Sequence, residues 1–182
     1  MVAQTRTPRT LWIDTGLAAL AAGGPDAVRV DLLAKALGVT RGGFYWHFAN
    51  RQAFLEALLE SWEHRSTDDV LDRVESEGGD ARAKVRKAGM LTFSKELLPV
   101  DLAVRDWARR DRAVAKRLRR VDNRRMAYLR ALIGTFVDDP DGIEARAMLA
   151  FSLAIGSPFI AADHGDLSRR EVLDRATQFL TE

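Results

Sequence analysis

The fold of this chain is decided by residues 38–48, GVTRGGFYWHF. Gly38 is the residue type that best tolerates the left-handed backbone at the end of a helix. Thr40 can cap the start of the next helix with its hydroxyl group. We therefore predict two short helices joined by the turn of residues 38–40, the second of them running over 41–48.

The second short helix is predicted to have two different faces. Phe44 and Phe48 lie four residues apart, so they share the face that points into a small core. Two adjacent glycines inside a helix cost on the order of 1 kcal/mol each relative to alanine, which indicates that a partner needs the bare backbone. The major groove of DNA would be such a partner. The outer face and the residues after it offer Arg41, Gly42, Gly43, Tyr45, Trp46, His47 and Arg51.

Helical spacing of apolar residues extends over the rest of the chain, and alternating strand patterns are missing. We therefore predict an all-α fold of about nine helices. The first helix is expected over 8–22, capped by Thr7 and stopped by the Gly-Gly-Pro sequence at 23–25. Its inward face is predicted to consist of Leu11, Thr15, Ala18, Ala19 and Ala22.

Several later helix boundaries are also predicted from local signals. Asn50 and Asp80 are expected to cap the helices that follow them. A long amphipathic helix begins near 111 and ends before the Asp-Asp-Pro sequence at 138–140. The segment 142–162 is rich in small residues and is expected to bend at Pro158. Ser168 and a glutamate three residues later form a capping box that opens the last helix.

Composition narrows the function classes. The 182 residues carry a net charge of +2 and include no cysteine. The absence of cysteine excludes disulfides, thiolate nucleophiles and zinc-thiolate sites. His47, His64 and His164 lack metal-ligand spacing, and no paired acid and base is recognisable. We expect no enzyme, no metal and no cofactor. Charges interrupt every apolar stretch, so we expect neither a signal peptide nor a membrane helix, and a cytoplasmic location.

The stretch 38–48 resembles the helix-turn-helix signature of TetR-family transcriptional regulators. The resemblance covers roughly the first 60 residues. It includes the first helix, which ends in a glycine loop, and it also includes Ala34. Arg51 stands where the family usually has lysine. The resemblance implies an N-terminal helix-turn-helix domain over 1–52 and a helical ligand-binding and dimerisation domain over 53–182. Residues 104–108, with Asp111 and Asp122, are similar to a pattern in some ligand domains of the family.

The resemblance also implies a role for each residue of the outer face. Arg41 would reach base edges, because a guanidinium can fork onto guanine. Trp46 would lie against the sugar-phosphate wall, and Gly42 would leave the backbone bare. Gly43 stands where other members often carry a side chain. Phosphate contacts are implied for Thr40, Tyr45, His47 and Arg51.

The strongest concentration of charge lies in residues 104–130. Eleven lysines and arginines stand there against three aspartates, a local balance of +8. Because these charges lie opposite an apolar stripe and lack interleaved aromatic residues, we interpret them as a solvated helix face. An anionic ligand and a second electrostatic DNA contact stay open. An alternative function is a helical binding module that uses this segment for RNA or an acidic partner.

The predicted function is a ligand-responsive regulator, most simply a repressor, that binds double-stranded DNA. A two-fold homodimer would read a near-palindromic operator, with the helices of 142–162 and 168–180 pairing between subunits. The small-molecule effector is unknown. Residues that could line its cavity, or could equally be plain core, are Met90, Phe93, Leu97, Trp107 and Tyr128.

Overall fold

The computed structural model describes residues 7–182, and in that range the chain is built of helices and turns without strands. This confirms the predicted all-α fold. The chain forms two compact units. One contains the described residues up to Ser66 together with Lys95–Arg119, and the other contains Thr67–Ser94 together with Arg120–Glu182. These packing units do not coincide with the functional division at 52/53, which stays a prediction.

Ten α-helical segments occur in the described range. A π-helical turn, His64–Asp68, joins the fourth segment to the fifth without a break. The described residues therefore form nine separate helices, as the sequence predicted. Within residues 7–182 no helix combines the length and apolar character that a membrane crossing requires. The helices are α1 Arg9–Ala27, α2 Val30–Ala36, α3 Arg41–Tyr45, α4 Arg51–Glu63, α5 Asp69–Glu77, α6 Ala81–Thr92, α7 Leu98–Ala108, α8 Arg112–Ile133, α9 Pro140–Gly156 and α10 Arg169–Thr181.

Helix α1 is rotated relative to the prediction. Leu11 is 45% exposed, and Ala18 and Ala22 are also exposed. The buried side is formed by larger side chains, which remove more apolar area from water than alanines do and therefore set the rotation. These side chains are Trp12, Ile13, Leu17 and Leu20, and Gly16 is buried on the same side.

The end of α1 also differs from the prediction. Gly23 and Gly24 leave helical geometry, Gly24 with φ of 68°, and helical structure resumes through Pro25 to Ala27. The Gly-Gly-Pro sequence is therefore a kink rather than a stop. Thr7 was predicted as the cap, but the N-cap position is held by Pro8, which makes no side-chain cap bond.

An aromatic cluster forms the core around α3, as the spacing of Phe44 and Phe48 predicted. The Phe44 ring packs edge-on against Trp12 and Phe54 at centroid distances of 5.5 and 5.2 Å. Phe48 lies 4.6 Å from the Phe54 ring. Helix α4 approaches α1 closely at Gly16, where an added Cβ would stand 2.5 Å from Phe54 Cζ. The cluster fixes α3 on a rigid base.

The helix caps predicted at Asn50, Asp80 and Ser168 are confirmed. The Asn50 carboxamide oxygen accepts a hydrogen bond from the Ala53 amide at 2.8 Å, and the Asp80 carboxylate accepts one from the Ala83 amide at 2.7 Å. Ser168 forms the full capping box at the start of α10. Pro158 lies in a 3-10 turn, Ser157–Phe159, that follows α9.

The second unit has its own core at the C-terminal half of α8. The buried cluster consists of Val85, Met126, Leu129, Leu132, Ile133 and Ala147.

Two arginines bind the end of α10. Arg146 donates to the Leu180 carbonyl at 2.9 Å, and Arg82 donates to the Thr181 carbonyl. These bonds satisfy carbonyls in the last turn of α10, which have no partner within the helix.

Candidate nucleic-acid interface

The turn between α2 and α3 has the predicted glycine geometry. Gly38 has φ of 66°, in the left-handed region where a Cβ is unfavourable. The Val39 amide donates to the Ala34 carbonyl at 2.9 Å. Thr40 occupies the N-cap position of α3, but its side chain makes no capping bond. Its hydroxyl is therefore available to an external acceptor.

Helix α3 is shorter than predicted. It ends at Tyr45 rather than Phe48, and the Phe44 carbonyl accepts bonds from the amides of His47 and Phe48. Because Asn50 starts a new helix only two residues after Phe48, the chain must leave the axis of α3 within this turn. Trp46 and His47 therefore lie in a turn, not on a helix face.

Three of the predicted residues point away from the aromatic core. The Arg41 side chain is exposed and makes no hydrogen bond or ion pair within residues 7–182. Tyr45 is 60% exposed and Trp46 is 71% exposed. The Tyr45 ring leans edge-on against Phe44 at 5.3 Å, which orients it while the hydroxyl faces outward from the core. The surface therefore combines an exposed cation with two aromatic groups that carry polar atoms.

The two glycines of α3 are not required by the packing of the chain. A Cβ added at Gly42 would meet Thr40 Oγ1 at 3.7 Å, and one at Gly43 would meet Trp12 Cζ2 at 3.8 Å. Both are ordinary van der Waals distances, and neither residue has a positive φ. Alanine would fit at both positions and would favour the helix. The packing of the described residues therefore gives no reason for the two glycines.

His47 is tied to the start of α1. Its Nε2 atom lies 2.9 Å from the Thr7 carbonyl oxygen, so this nitrogen carries the proton and donates it. Only Nδ1 is left for a second partner. The phosphate contact of His47 stays a prediction, and it requires a second proton on Nδ1, because a phosphate oxygen only accepts hydrogen bonds.

Arg51 is turned toward the end of α1. Its Nε donates to the Val28 carbonyl at 2.8 Å, and one terminal nitrogen donates to the Pro25 carbonyl. These bonds hold the segment after the kink of α1 against the start of α4. The predicted phosphate contact of Arg51 stays a prediction, and it competes with a structural role that the sequence did not reveal.

Sequence reasoning missed Arg9 as a neighbour of this surface. The Arg9 guanidinium carbon lies 5.2 Å from the Phe48 ring centroid, so an exposed cation from α1 stands next to the end of α3. A basic residue near the chain start gave no specific signal, because the contact joins residues 39 positions apart.

The predicted ligand-cavity residues are divided between the two compact units. Met90, Phe93 and Tyr128 belong to one, and Leu97 and Trp107 belong to the other. Met90 is 71% exposed, whereas Trp107 is buried. The Tyr128 hydroxyl donates to Glu75 at 2.7 Å, and burial together with this bond raises the pKa of Tyr128. The cavity lining by these five residues stays a prediction.

Comparison with known proteins adds independent findings. Residues 13–58 match the family model for bacterial regulatory proteins of the tetR family. A stretch of 62 residues is 37% identical to the uncharacterized HTH-type transcriptional regulator TtgW of Pseudomonas putida. This stretch covers 34% of the chain and 46% of that relative, so less than half of the relative's length is matched.

Solved structures extend the similarity of fold to nearly the whole chain. The ketosteroid transcriptional regulator KstR2 of Mycobacterium tuberculosis has a TM-score of 0.69 at 16% identity, over 98% of this chain and 95% of that one. AibR, in complex with isovaleryl coenzyme A and operator DNA, has a TM-score of 0.69 at 14% identity, over 94% and 97%. The matched family and the curated relative are regulators rather than enzymes, in line with the prediction.

Proposed function

We propose that the chain is a ligand-responsive transcriptional repressor of the TetR family, whose model matches residues 13–58. In this proposal a homodimer binds a near-palindromic operator. The single observation that supports it most is the outer face of α3, where two glycines that the packing does not need lie beside an exposed arginine without an internal partner.

Each residue of the surface has a role that its chemistry supports. Arg41, in the first turn of α3, would enter the major groove and fork onto a guanine. Gly42 and Gly43 would let the helix backbone approach the bases. The hydroxyls of Thr40 and Tyr45 would donate to phosphate oxygens, and Trp46 would pack against the sugar-phosphate wall. Phosphate contacts fix the register, and Arg41 selects the sequence.

The homodimer is supported by exposed apolar side chains on the last helices. Phe179 of α10 is 72% exposed and Phe159, after α9, is 70% exposed. Met148 and Leu149 of α9 are also exposed. Exposed large apolar side chains are candidates for an interaction site where they form a contiguous patch. Two-fold pairing of these helices would place two helix-turn-helix domains, one from each subunit, on a symmetric DNA site.

An effector would act by favouring one arrangement of the dimer's two helix-turn-helix domains over another. Within the second unit, the Phe93 ring lies 6.1 Å from Phe151 and 5.8 Å from the Arg125 guanidinium carbon. We place the effector against Phe93, with Tyr128 from the same unit. The predicted contributions of Met90, Leu97 and Trp107 have less support, because Met90 is exposed and the other two belong to the first unit.

Selection from a random duplex pool tests the proposed function. Purified protein is incubated with the pool, bound duplexes are amplified, and the enriched sequences are read. We expect a single motif with two-fold symmetry, and binding of two chains per duplex. Arg41→Ala should bind the enriched motif more weakly, whereas Arg86→Ala, an exposed arginine of α6, should not. Failure of the wild-type protein to enrich any motif would contradict the proposal.

A further inference from the structure

The eleven cations of residues 104–130 fall into two groups. Seven interact with other groups of the chain, and six of these form ion pairs: Arg105 with Asp101, Arg110 with Asp106, Arg117 with Glu56 and Glu63, Arg124 with Asp68, Arg125 with Asp122, and Arg130 with Glu144. Arg120 is the seventh. The other four make no hydrogen bond or ion pair within residues 7–182. They are Arg109, Arg112, Lys116 and Arg119, named here the basic stripe.

The basic stripe follows one side of α8. Arg112, Lys116 and Arg119 are spaced four and three residues apart, which places them on the same helix face. Arg109 lies just before the helix, and all four side chains are at least partly exposed. With a rise of 1.5 Å per residue, Arg112 and Arg119 are separated by about 10 Å along the axis. The stripe therefore presents several positive charges in a row.

The opposite side of α8 is already used by the fold. Val114 and Val121 are buried at 2% and 0% exposure, and each lies two positions from a stripe residue, which is about 200° around a helix. Arg117 turns to Glu56 and Glu63 of α4 at 3.1 and 3.2 Å. Neither the packing nor the ion pairs of this part of α8 therefore neutralise the positive charges of the basic stripe.

The surroundings of the stripe favour one kind of partner. No large apolar side chain is exposed on α7 or α8, whereas the core of a protein interface is usually anchored by aromatic or apolar groups. No aromatic residue interleaves with the charges, which a single-stranded nucleic acid would need for stacking. Duplex DNA carries a phosphate charge about every 1.7 Å of its axis, and lysines and arginines can bind it without apolar or aromatic contacts.

We propose that the basic stripe binds phosphates of duplex DNA in addition to the contacts of α3. The stripe and the helix-turn-helix belong to the same compact unit. This inference rests on the proposed function, because it takes DNA as the partner of that unit. Since phosphates carry no sequence information, the stripe contributes affinity and salt dependence but no choice of bases.

The test compares two triple variants that lose the same charge. The stripe variant is Arg112→Gln, Lys116→Gln and Arg119→Gln. The control is Arg73→Gln, Arg86→Gln and Arg110→Gln, which removes two arginines paired with Glu77 and Asp106 and one exposed arginine of α6. Binding to a mixed-sequence duplex of about 40 base pairs, long enough to cover a dimer's two half-sites, and to the selected motif is measured by fluorescence anisotropy over a salt series. Circular dichroism checks that both variants are folded.

We expect the slope of log affinity against log salt to fall by about two to three units per subunit in the stripe variant, since each lost phosphate contact removes about 0.9. The ratio of affinities for the selected motif and the mixed duplex should be unchanged, and the control should keep the wild-type slope. A stripe variant with the wild-type slope, or a control that loses as much, overturns the inference.

Two further outcomes separate this inference from the proposed function. If the wild-type protein enriches no motif but its binding to the mixed duplex depends on the stripe, the proposed function fails and the stripe assignment holds. If a poly-glutamate peptide binds the wild-type protein and not the stripe variant, while duplex binding is unaffected, the stripe serves an acidic protein and the inference is wrong.

Discussion

The Nε of Arg51 donates to the Val28 carbonyl oxygen at 2.8 Å. This bond joins the first turn of α4 to the residue that follows α1, and a second bond reaches Pro25. Gly24, with φ of 68°, directs the intervening segment toward α4. A side chain whose sequence context suggested contact with DNA thus joins α4 to the end of α1, beside the packing of Phe54.

Arg51→Ala is therefore expected to lower the free energy of unfolding by about 1 to 2 kcal/mol, because two carbonyls lose a charged donor. Arg51→Lys should recover part of the loss, since an ammonium can reach one carbonyl but cannot fork onto both. Urea unfolding followed by circular dichroism measures both. Unchanged stability in Arg51→Ala, together with a salt slope reduced by about one unit, would return Arg51 to the phosphate role.

Gly42→Ala should separate folding from DNA binding. The fold accommodates the added methyl group, so we expect stability to rise by about 0.5 to 1 kcal/mol. Affinity for the selected motif should fall at least about tenfold, or about 1.4 kcal/mol, because the methyl group would stand between α3 and the bases. Thermal unfolding and anisotropy measure the two effects.

Gly16→Ala is the matched control for that experiment. An alanine Cβ there would lie 2.5 Å from Phe54 Cζ and 2.8 Å from Leu58 Cδ2, so overpacking should destabilise the chain by about 1 to 3 kcal/mol. If Gly42→Ala destabilises the chain as Gly16→Ala does, or binds the motif as tightly as wild type, the bare backbone of α3 has no role in recognition.

Phe179→Arg should convert the proposed homodimer into monomers. The side chain is 72% exposed in the single chain, so the substitution should not damage the fold, while a charge buried at an interface without a partner is unfavourable. Ala154→Arg on α9 should act in the same way. Light scattering gives the mass, and Arg170→Glu, at an 89% exposed side chain of α10, is the control. A dimer that persists in both arginine variants would place the interface elsewhere.

Local signals predicted much of this structure because their physical cause lies within a few residues. Asn50 and Ser168 cap the helices they precede, and Gly38 takes the left-handed turn. The rotation of α1 depends on the larger side chains that it packs against α7 and α4, and the spacing of apolar residues alone did not specify which side this is.

Long-range contacts account for the internal partners in the candidate site that the sequence did not reveal. The partners of Arg51 lie 23 and 26 residues away, and Thr7, the partner of His47, lies 40 residues away. Neither contact leaves a mark in the local pattern of residues 38–51. The exposed residues Arg41, Tyr45 and Trp46 were easier to identify, because their neighbours Phe44 and Phe48 already fill the core.

We propose that Arg41 selects bases while its neighbours bind the DNA backbone, and the most direct test is the affinity of Arg41→Ala for two duplexes. One duplex carries the motif selected by the wild-type protein, and the other carries the same bases in scrambled order. We expect a loss of about 1 to 3 kcal/mol on the selected motif and a relaxed choice of base at one symmetric position, with a much smaller loss on the scrambled duplex. An equal loss on both duplexes would contradict it.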